Sequence, residues 1–194
     1  MKTLARVISY LFNPILLLVF VPFILLYRTT NEFSIAAFWT GYTLIFLIAI
    51  GAYMLYEVKR GRFTDLDVSK REQRPVLFIM CIIFTVLYML GLWLLKGPFP
   101  LFIVAVGIVV GIILASIINM WIKASLHMAT LAALIFSISV VYGGWYSLLL
   151  LLFPLVAWAR LRLKRHTMQE VIVGGIFGSL LSLVMYILLK WGFH

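Results

Sequence analysis

Residues 100–121 read PLFIVAVGIVVGIILASIINMW and contain no charged side chain. The hydrocarbon core of a bilayer is ~30 Å thick, and about 20 apolar helical residues cross it. This stretch is therefore long enough to span a membrane. The whole chain is 65% hydrophobic and only 11% charged, and such a composition excludes a soluble globular protein. We therefore predict an integral membrane protein.

Six further apolar segments accompany this one along the chain. They cover residues 8–27, 34–56, 76–95, 126–142, 145–159 and 171–191. A spanning segment must satisfy its own backbone hydrogen bonds, and the sequence lacks the ~10-residue alternating segments of barrel strands. The sequence therefore predicts an all-α, polytopic helical bundle with six to seven transmembrane helices.

We predict one membrane domain over residues 1–194, with polar loops at about 57–75, 122–127 and 160–170. The N-terminal apolar run is expected to be a retained helix, since it lacks a small-residue cleavage site and continues past Leu26. Two Gly-x-x-x-Gly patterns, which end at Gly111 and Gly178, allow helices to approach closely. They favour packing within the chain, and a dimer interface is the alternative.

The basic residues are distributed unevenly between the two sides of the predicted bundle. If each segment crosses once, thirteen of the sixteen lysines and arginines lie on the N-terminal side and three lie opposite. Because these residues are enriched in cytoplasmic loops, the N-terminal side is predicted to be cytoplasmic. We therefore expect a protein of the cell (inner) membrane whose polar loops face the cytoplasm.

The three polar loops fall on that same face, because two crossings separate each loop from the next. The last loop contains His166 and, four places later, Glu170, the only acidic residue after Gln73. Residues four apart share one face of a helix, so the Glu170 carboxylate is expected to reach the His166 imidazole. His127 ends the middle loop. A histidine oriented by a carboxylate, with arginines and a second histidine nearby, suits phosphoryl transfer.

Three short motifs follow one another in the chain: Arg74-Pro75, then Ala124-Ser125-Leu126-His127, then Arg160, five residues, His166, three residues and Glu170. Their order resembles the type 2 phosphatidic acid phosphatase superfamily, the membrane lipid-phosphate phosphatases related to vanadium haloperoxidases. That family's elements are Lys-x6-Arg-Pro, Pro-Ser-Gly-His and Ser-Arg-x5-His-x3-Asp. The resemblance extends over about half of the chain, up to Gly178.

The resemblance implies a role for each matched residue. His166 would attack phosphorus and become phosphohistidine, and Glu170 would orient the His166 ring. His127 would protonate the leaving alkoxide and then activate water. The implied reaction needs no metal and no other cofactor.

The resemblance also implies which groups bind the phosphate oxygens. These ligands are Arg74, Arg160 and Ser125. The family's first-element lysine is replaced by Asp67, and either Lys70 or Lys123 is expected to supply that charge. Leu126 stands in place of a family glycine whose N–H contacts phosphate.

The expected substrates are lipid or isoprenoid phosphate monoesters or diphosphates, and the expected partners are membrane lipids, not nucleic acid. Two alternatives stay open. One is a metal-dependent hydrolase whose metal site is built from His127, His166 and Glu170. The other is a degenerate relative that transfers phosphate between lipids, or that binds or transports anionic lipids without catalysis.

Overall fold

The computed structural model describes residues 1–192, and the side chains of residues 1–187. Over that range eight α-helices follow one another: α1 (Lys2–Leu11), α2 (Pro14–Thr30), α3 (Phe33–Lys59), α4 (Arg74–Leu94), α5 (Phe99–Ile118), α6 (Leu126–Tyr142), α7 (Leu152–Arg162) and α8 (Met168–Gly192). Short 3-10 helices precede α4 at Arg71–Gln73 and α7 at Gly144–Leu151. No strand occurs in residues 1–192, and the all-α prediction is confirmed.

Six stretches of helix in the described residues are long and apolar enough to cross a membrane. They are Lys2–Thr30, Phe33–Lys59, Arg71–Leu94, Phe99–Ile118, Gly144–Arg162 and Met168–Ile187. A seventh apolar helix, α6, is shorter at 17 residues. The predicted bundle of six to seven transmembrane helices agrees with this count, and the chain is an integral membrane protein.

The first apolar segment is divided into two helices, where the sequence predicted one. α1 ends at Leu11 and α2 begins at Pro14. Proline has no N–H to donate and is well tolerated at the first position of a helix. The Asn13 side chain accepts a hydrogen bond from the N–H of Ile15 at 2.9 Å, so it caps the start of α2. α2 then continues through Pro22.

The chain divides into two compact units. The first unit contains Met1–Leu18 and Ile122–His194, and the second contains Val19–Trp121. The division falls within α2. The single domain expected from the sequence stays a prediction.

In the first unit, α6 packs closely along α8, and α1 packs on α7. Gly174 and Gly178 of α8 face the α6 backbone, because a Cβ atom there would overlap the carbonyl oxygens of Ser125 and Ala129. The buried core of this unit consists of Ala5, Ile8, Leu17, Met128, Leu131, Ile135, Val156, Ala159 and Val171. The second Gly-x-x-x-Gly pattern therefore serves packing within the chain.

In the second unit, α4 packs against α3 and α5 around the buried residues Leu26, Ala36, Trp39, Leu92 and Leu101. The 3-10 helix before α4 is hydrogen-bonded to the end of α5 by the side chains of Arg71 and Asn119, and Nδ2 of Asn119 donates to the Arg71 carbonyl at 3.4 Å. Arg71 donates from Nε to the carbonyl of Asn119 at 2.5 Å and from Nη1 to that of Trp121 at 3.3 Å. A third donor, Nη2, contacts the Met120 carbonyl. Arg71 therefore provides hydrogen bonds for the three consecutive carbonyls that follow the last turn of α5.

Candidate functional site

Six of the eight side chains predicted for the site belong to the first unit. They are Lys123, Ser125, His127, Arg160, His166 and Glu170. The other two, Lys70 and Arg74, belong to the second unit.

His166 and Glu170 form the hydrogen bond that the sequence predicted. Nδ1 of His166 lies 2.8 Å from Oε2 of Glu170. The reason given for the pair was wrong, however, because the two residues do not share a helix face. His166 lies in the loop after α7, and Glu170 lies in the first turn of α8.

Hydrogen bonds with Thr167 place the Glu170 carboxylate beside His166. The N–H of Glu170 donates to Oγ1 of Thr167 at 3.3 Å, and the N–H of Thr167 donates to Oε2 of Glu170 at 3.2 Å. This reciprocal pair is a capping box, formed by a threonine and a glutamate three residues later. A carboxylate at this end of a helix is also stabilised by the helix dipole. The start of α8 therefore holds the Glu170 carboxylate beside His166.

Lys123 links the middle loop to the last one. Its Nζ donates to the carbonyl oxygen of Arg165 at 2.9 Å and lies 3.8 Å from Oε2 of Glu170. The backbone N–H of Ser125 donates to the carbonyl oxygen of Glu170 at 3.0 Å. These contacts bring the residues 122–127 loop against the His166–Glu170 pair, as the parity of crossings predicted.

Arg160 and His127 both contact a residue that the sequence reasoning missed, Ser9 of α1. Nη1 of Arg160 donates to the Ser9 hydroxyl oxygen at 2.6 Å. Nε2 of His127 lies 3.2 Å from the Ser9 carbonyl oxygen. The available signal was a lone serine in an apolar stretch, because such hydroxyls commonly hydrogen-bond between helices in membranes.

The hydrogen-bond acceptors fix the tautomers of the two histidines. A carboxylate only accepts, so the proton in the His166–Glu170 bond is on Nδ1 of His166. A carbonyl oxygen also only accepts, so the proton in the His127–Ser9 bond is on Nε2 of His127. In the neutral rings, the lone pair is then on Nε2 of His166 and on Nδ1 of His127. The two rings are held in opposite tautomers.

The site is shielded from solvent. Arg160 is 1% exposed, His127 5%, His166 8% and Ser125 0%. A buried charged or polar group costs free energy unless it is hydrogen-bonded, and Ser9 provides a partner for Nη1 of Arg160. The hydroxyl of Ser125 has no hydrogen-bond partner. A fully buried hydroxyl of this kind retains the capacity to bind a further polar group.

The two predicted phosphate ligands of the second unit differ in environment. Arg74 is 3% exposed, and its Nε donates to the carbonyl oxygen of Val68 at 3.4 Å. Lys70 is exposed and directly precedes the 3-10 helix Arg71–Gln73. Their participation in the site stays a prediction. Lys123, in contrast, lies in the same unit as both histidines.

Metal-ligating side chains do not cluster in the part of the chain that the structure describes. No group of three or more His, Cys, Asp or Glu side chains there is arranged to hold a metal ion. The alternative of a metal site built from His127, His166 and Glu170 therefore has no geometric support.

No protein-family model, curated protein or solved structure matches this chain. The resemblance to lipid-phosphate phosphatases therefore depends on the three short motifs and on the contacts among their residues.

Proposed function

We propose that this chain is a membrane phosphatase that hydrolyses lipid or isoprenoid phosphates through a phosphohistidine intermediate, without a metal. The observation that carries the proposal is the His166–Glu170 hydrogen bond, which leaves Nε2 of neutral His166 as the nucleophilic nitrogen. A second histidine and an arginine in the same unit support it.

In the first step, Nε2 of His166 attacks phosphorus while the bond from phosphorus to the alkoxide oxygen breaks. The alkoxide takes a proton from the His127 imidazolium and leaves as an alcohol. His166 then carries the phosphoryl group on Nε2 and the proton on Nδ1. Glu170 accepts that Nδ1 proton in a hydrogen bond and stabilises the positive charge that develops on the ring.

In the second step, His127 is neutral and takes a proton from water as the water oxygen attacks the phosphohistidine. The bond between nitrogen and phosphorus breaks, inorganic phosphate is released, and His166 is restored. His127 is again an imidazolium and can protonate the next leaving group.

Stabilisation of the phosphate charge requires hydrogen-bond donors that already point towards the phosphate position before the substrate binds. Arg160 supplies a planar guanidinium fork, which matches phosphate oxygens well. The buried hydroxyl of Ser125 adds a hydrogen-bond donor. We propose that Lys123, in the same unit as both histidines, supplies the charge of the missing first-element lysine. Removal of one well-placed donor typically lowers the rate by about 100- to 1,000-fold.

The proposed substrates are amphiphiles whose phosphate lies at the membrane surface, because the polar loops adjoin apolar helices. Phosphatidic acid, phosphatidylglycerol phosphate and isoprenoid phosphates or diphosphates all have this chemistry. We propose a cell (inner) membrane location, and the excess of basic residues on the N-terminal side supports a site on the cytoplasmic face.

A second candidate function is phosphate transfer from one lipid to another alcohol. Shielding of the site favours it, since His166 is only 8% exposed. Exclusion of water protects a reactive intermediate from hydrolysis. The same phosphohistidine would then be attacked by an alcohol oxygen, and the product would be a new phosphate ester.

The deciding experiment compares the purified wild type with His166→Ala in detergent, with EDTA present and a panel of lipid and isoprenoid phosphates. The matched control is His194→Ala, since this histidine lies outside the described residues and in none of the motifs. We expect phosphate release from the wild type and the control, and none from His166→Ala. An added alcohol acceptor that turns phosphate release into ester formation would identify the transferase. Absence of both products in a folded wild type would refute the proposal.

A further inference from the structure

Ser9 of the N-terminal helix α1 contacts both Arg160 and His127. In the proposed reaction Arg160 binds the phosphate and His127 transfers protons. The α1 residues Ala5, Ile8 and Ser9 are buried, and their spacing places them on one face of the helix. Lys2, Arg6 and Tyr10 are exposed. α1 therefore presents Ser9 to the site through a face that also packs on α7.

The hydroxyl of Ser9 acts on Arg160. Its oxygen accepts from Nη1 at 2.6 Å, a short distance that is typical of a hydrogen bond from a charged donor. A guanidinium group is planar, so one firmly held nitrogen restricts the plane of the whole fork. An arginine side chain that is not held in this way loses more rotamer entropy when it binds a ligand.

The backbone of the same residue acts on His127. The Ser9 carbonyl accepts from Nε2 at 3.2 Å, which keeps a proton on that nitrogen. While this bond is kept, proton exchange between His127 and a substrate takes place at Nδ1. The Ser9 carbonyl thus selects one tautomer of His127, in the same way as the Glu170 carboxylate selects one tautomer of His166.

We propose that Ser9 is a positioning residue of the phosphate site, whose hydroxyl holds the Arg160 fork ready for a phosphate ester. This inference rests on the proposed phosphatase function. The proposal gives a residue of α1 a role in the reaction, although no residue of α1 belongs to the three motifs. Ser9 does not itself touch the reacting atoms in this proposal.

The test compares phosphate release by the wild type, Ser9→Ala, Ser9→Cys and Ser9→Thr, with the inhibition constant for inorganic phosphate measured for each. Ser9→Ala removes the hydroxyl acceptor, and Ser9→Cys replaces it with a weak acceptor. We expect KM and the inhibition constant to rise about 10-fold in both, which is the effect of one lost hydrogen bond to a charged group. We expect kcat to change less, and Ser9→Thr to remain within about 3-fold of the wild type.

The matched control is Tyr10→Phe, which removes an exposed hydroxyl from the neighbouring position of α1. It should leave every constant unchanged. If Ser9→Ala fails to fold, Ser9→Cys provides the same comparison at nearly constant volume. Unchanged constants in a folded, active variant would overturn the positioning role. So would faster turnover, because Ser9 would then compete with phosphate for Arg160. A wild type without phosphate release would instead refute the proposed function itself.

Discussion

Nδ1 of His166 is hydrogen-bonded to Oε2 of Glu170, although His166 precedes the helix in whose first turn Glu170 lies. The same carboxylate oxygen accepts the N–H of Thr167 and completes the capping box of α8. Glu170 therefore has two separable effects. It stabilises the start of a helix, and it orients a histidine.

The orienting effect predicts that Glu170→Gln is inactive but folded. The amide oxygen of glutamine can still accept the Thr167 N–H, since glutamine also completes a capping box. It lacks the charge that stabilises a positive His166 ring, so we expect phosphate release to fall about 100-fold or more. Phosphate release and a thermal unfolding curve, measured on the same preparation, check both halves of the prediction. Glu170→Gln with wild-type activity would mean that the carboxylate charge is not used.

The capping effect predicts the opposite pattern for Thr167→Ala. This variant removes the side-chain oxygen that accepts the Glu170 N–H at 3.3 Å but keeps the carboxylate. Loss of an N-cap side chain typically costs about 1 kcal/mol. We expect a lower unfolding temperature, with phosphate release within a few-fold of the wild type. A large loss of activity without loss of stability would show that the cap is needed to place Glu170.

Much of the fold was predictable because apolar length is enough to specify a spanning helix. All seven predicted segments overlap helices of the structure, and the boundary at Tyr142 was predicted correctly. The break before Pro14 was not predicted, since a proline in an apolar run is compatible both with the start of a new helix and with a continuing helix, as Pro22 shows inside α2. Asn13 can be recognised as a helix cap only once the break between α1 and α2 is known.

The site was predictable only where its residues are close in sequence or belong to a known motif. The contact of His166 with Glu170 spans only four positions and was predicted, although through the Thr167 capping box and not through the shared helix face that the spacing indicated. Ser9 and Arg160 are 151 positions apart, and no periodicity or spacing connects them. Their contact depends on how α1 packs on α7, which is a property of the tertiary structure.

The close approach of α6 and α8 predicts that Gly174→Ala and Gly178→Ala are destabilising. A methyl group at these positions would overlap the carbonyl oxygen of Ser125, the N-cap of α6, or of Ala129 within α6, and helix backbones cannot move apart locally without loss of packing. Overpacking of this kind typically costs about 1 to 3 kcal/mol. The matched control is Gly51→Ala in α3, where a Cβ atom meets nothing within 4 Å. The unfolding temperature in detergent should therefore fall for the α8 variants and stay constant or rise for the control.

Arg71 predicts a stability defect in the second unit. Its guanidinium group donates hydrogen bonds to three carbonyls after the last turn of α5, and Arg71→Ala removes all three hydrogen bonds. Hydrogen bonds to charged groups typically contribute about 1.5 to 3 kcal/mol. Arg71→Lys should recover only part of the loss, since an ammonium group lacks the planar fork. Lys59→Ala, at an exposed position on the end of α3, is the control and should unfold like the wild type.

The proposed orientation predicts opposite labelling of two introduced cysteines. Cys81, the only cysteine of the sequence, is first changed to alanine. Thr64 and Gly144 are exposed, and an odd number of predicted crossings separates them. In intact cells, a membrane-impermeant maleimide should label Gly144→Cys, whereas Thr64→Cys should react only after permeabilisation. The reverse pattern would place the polar loops outside the cytoplasm. Labelling of both from one side would mean that the number of crossings between them is even, and that the three loops do not share a face.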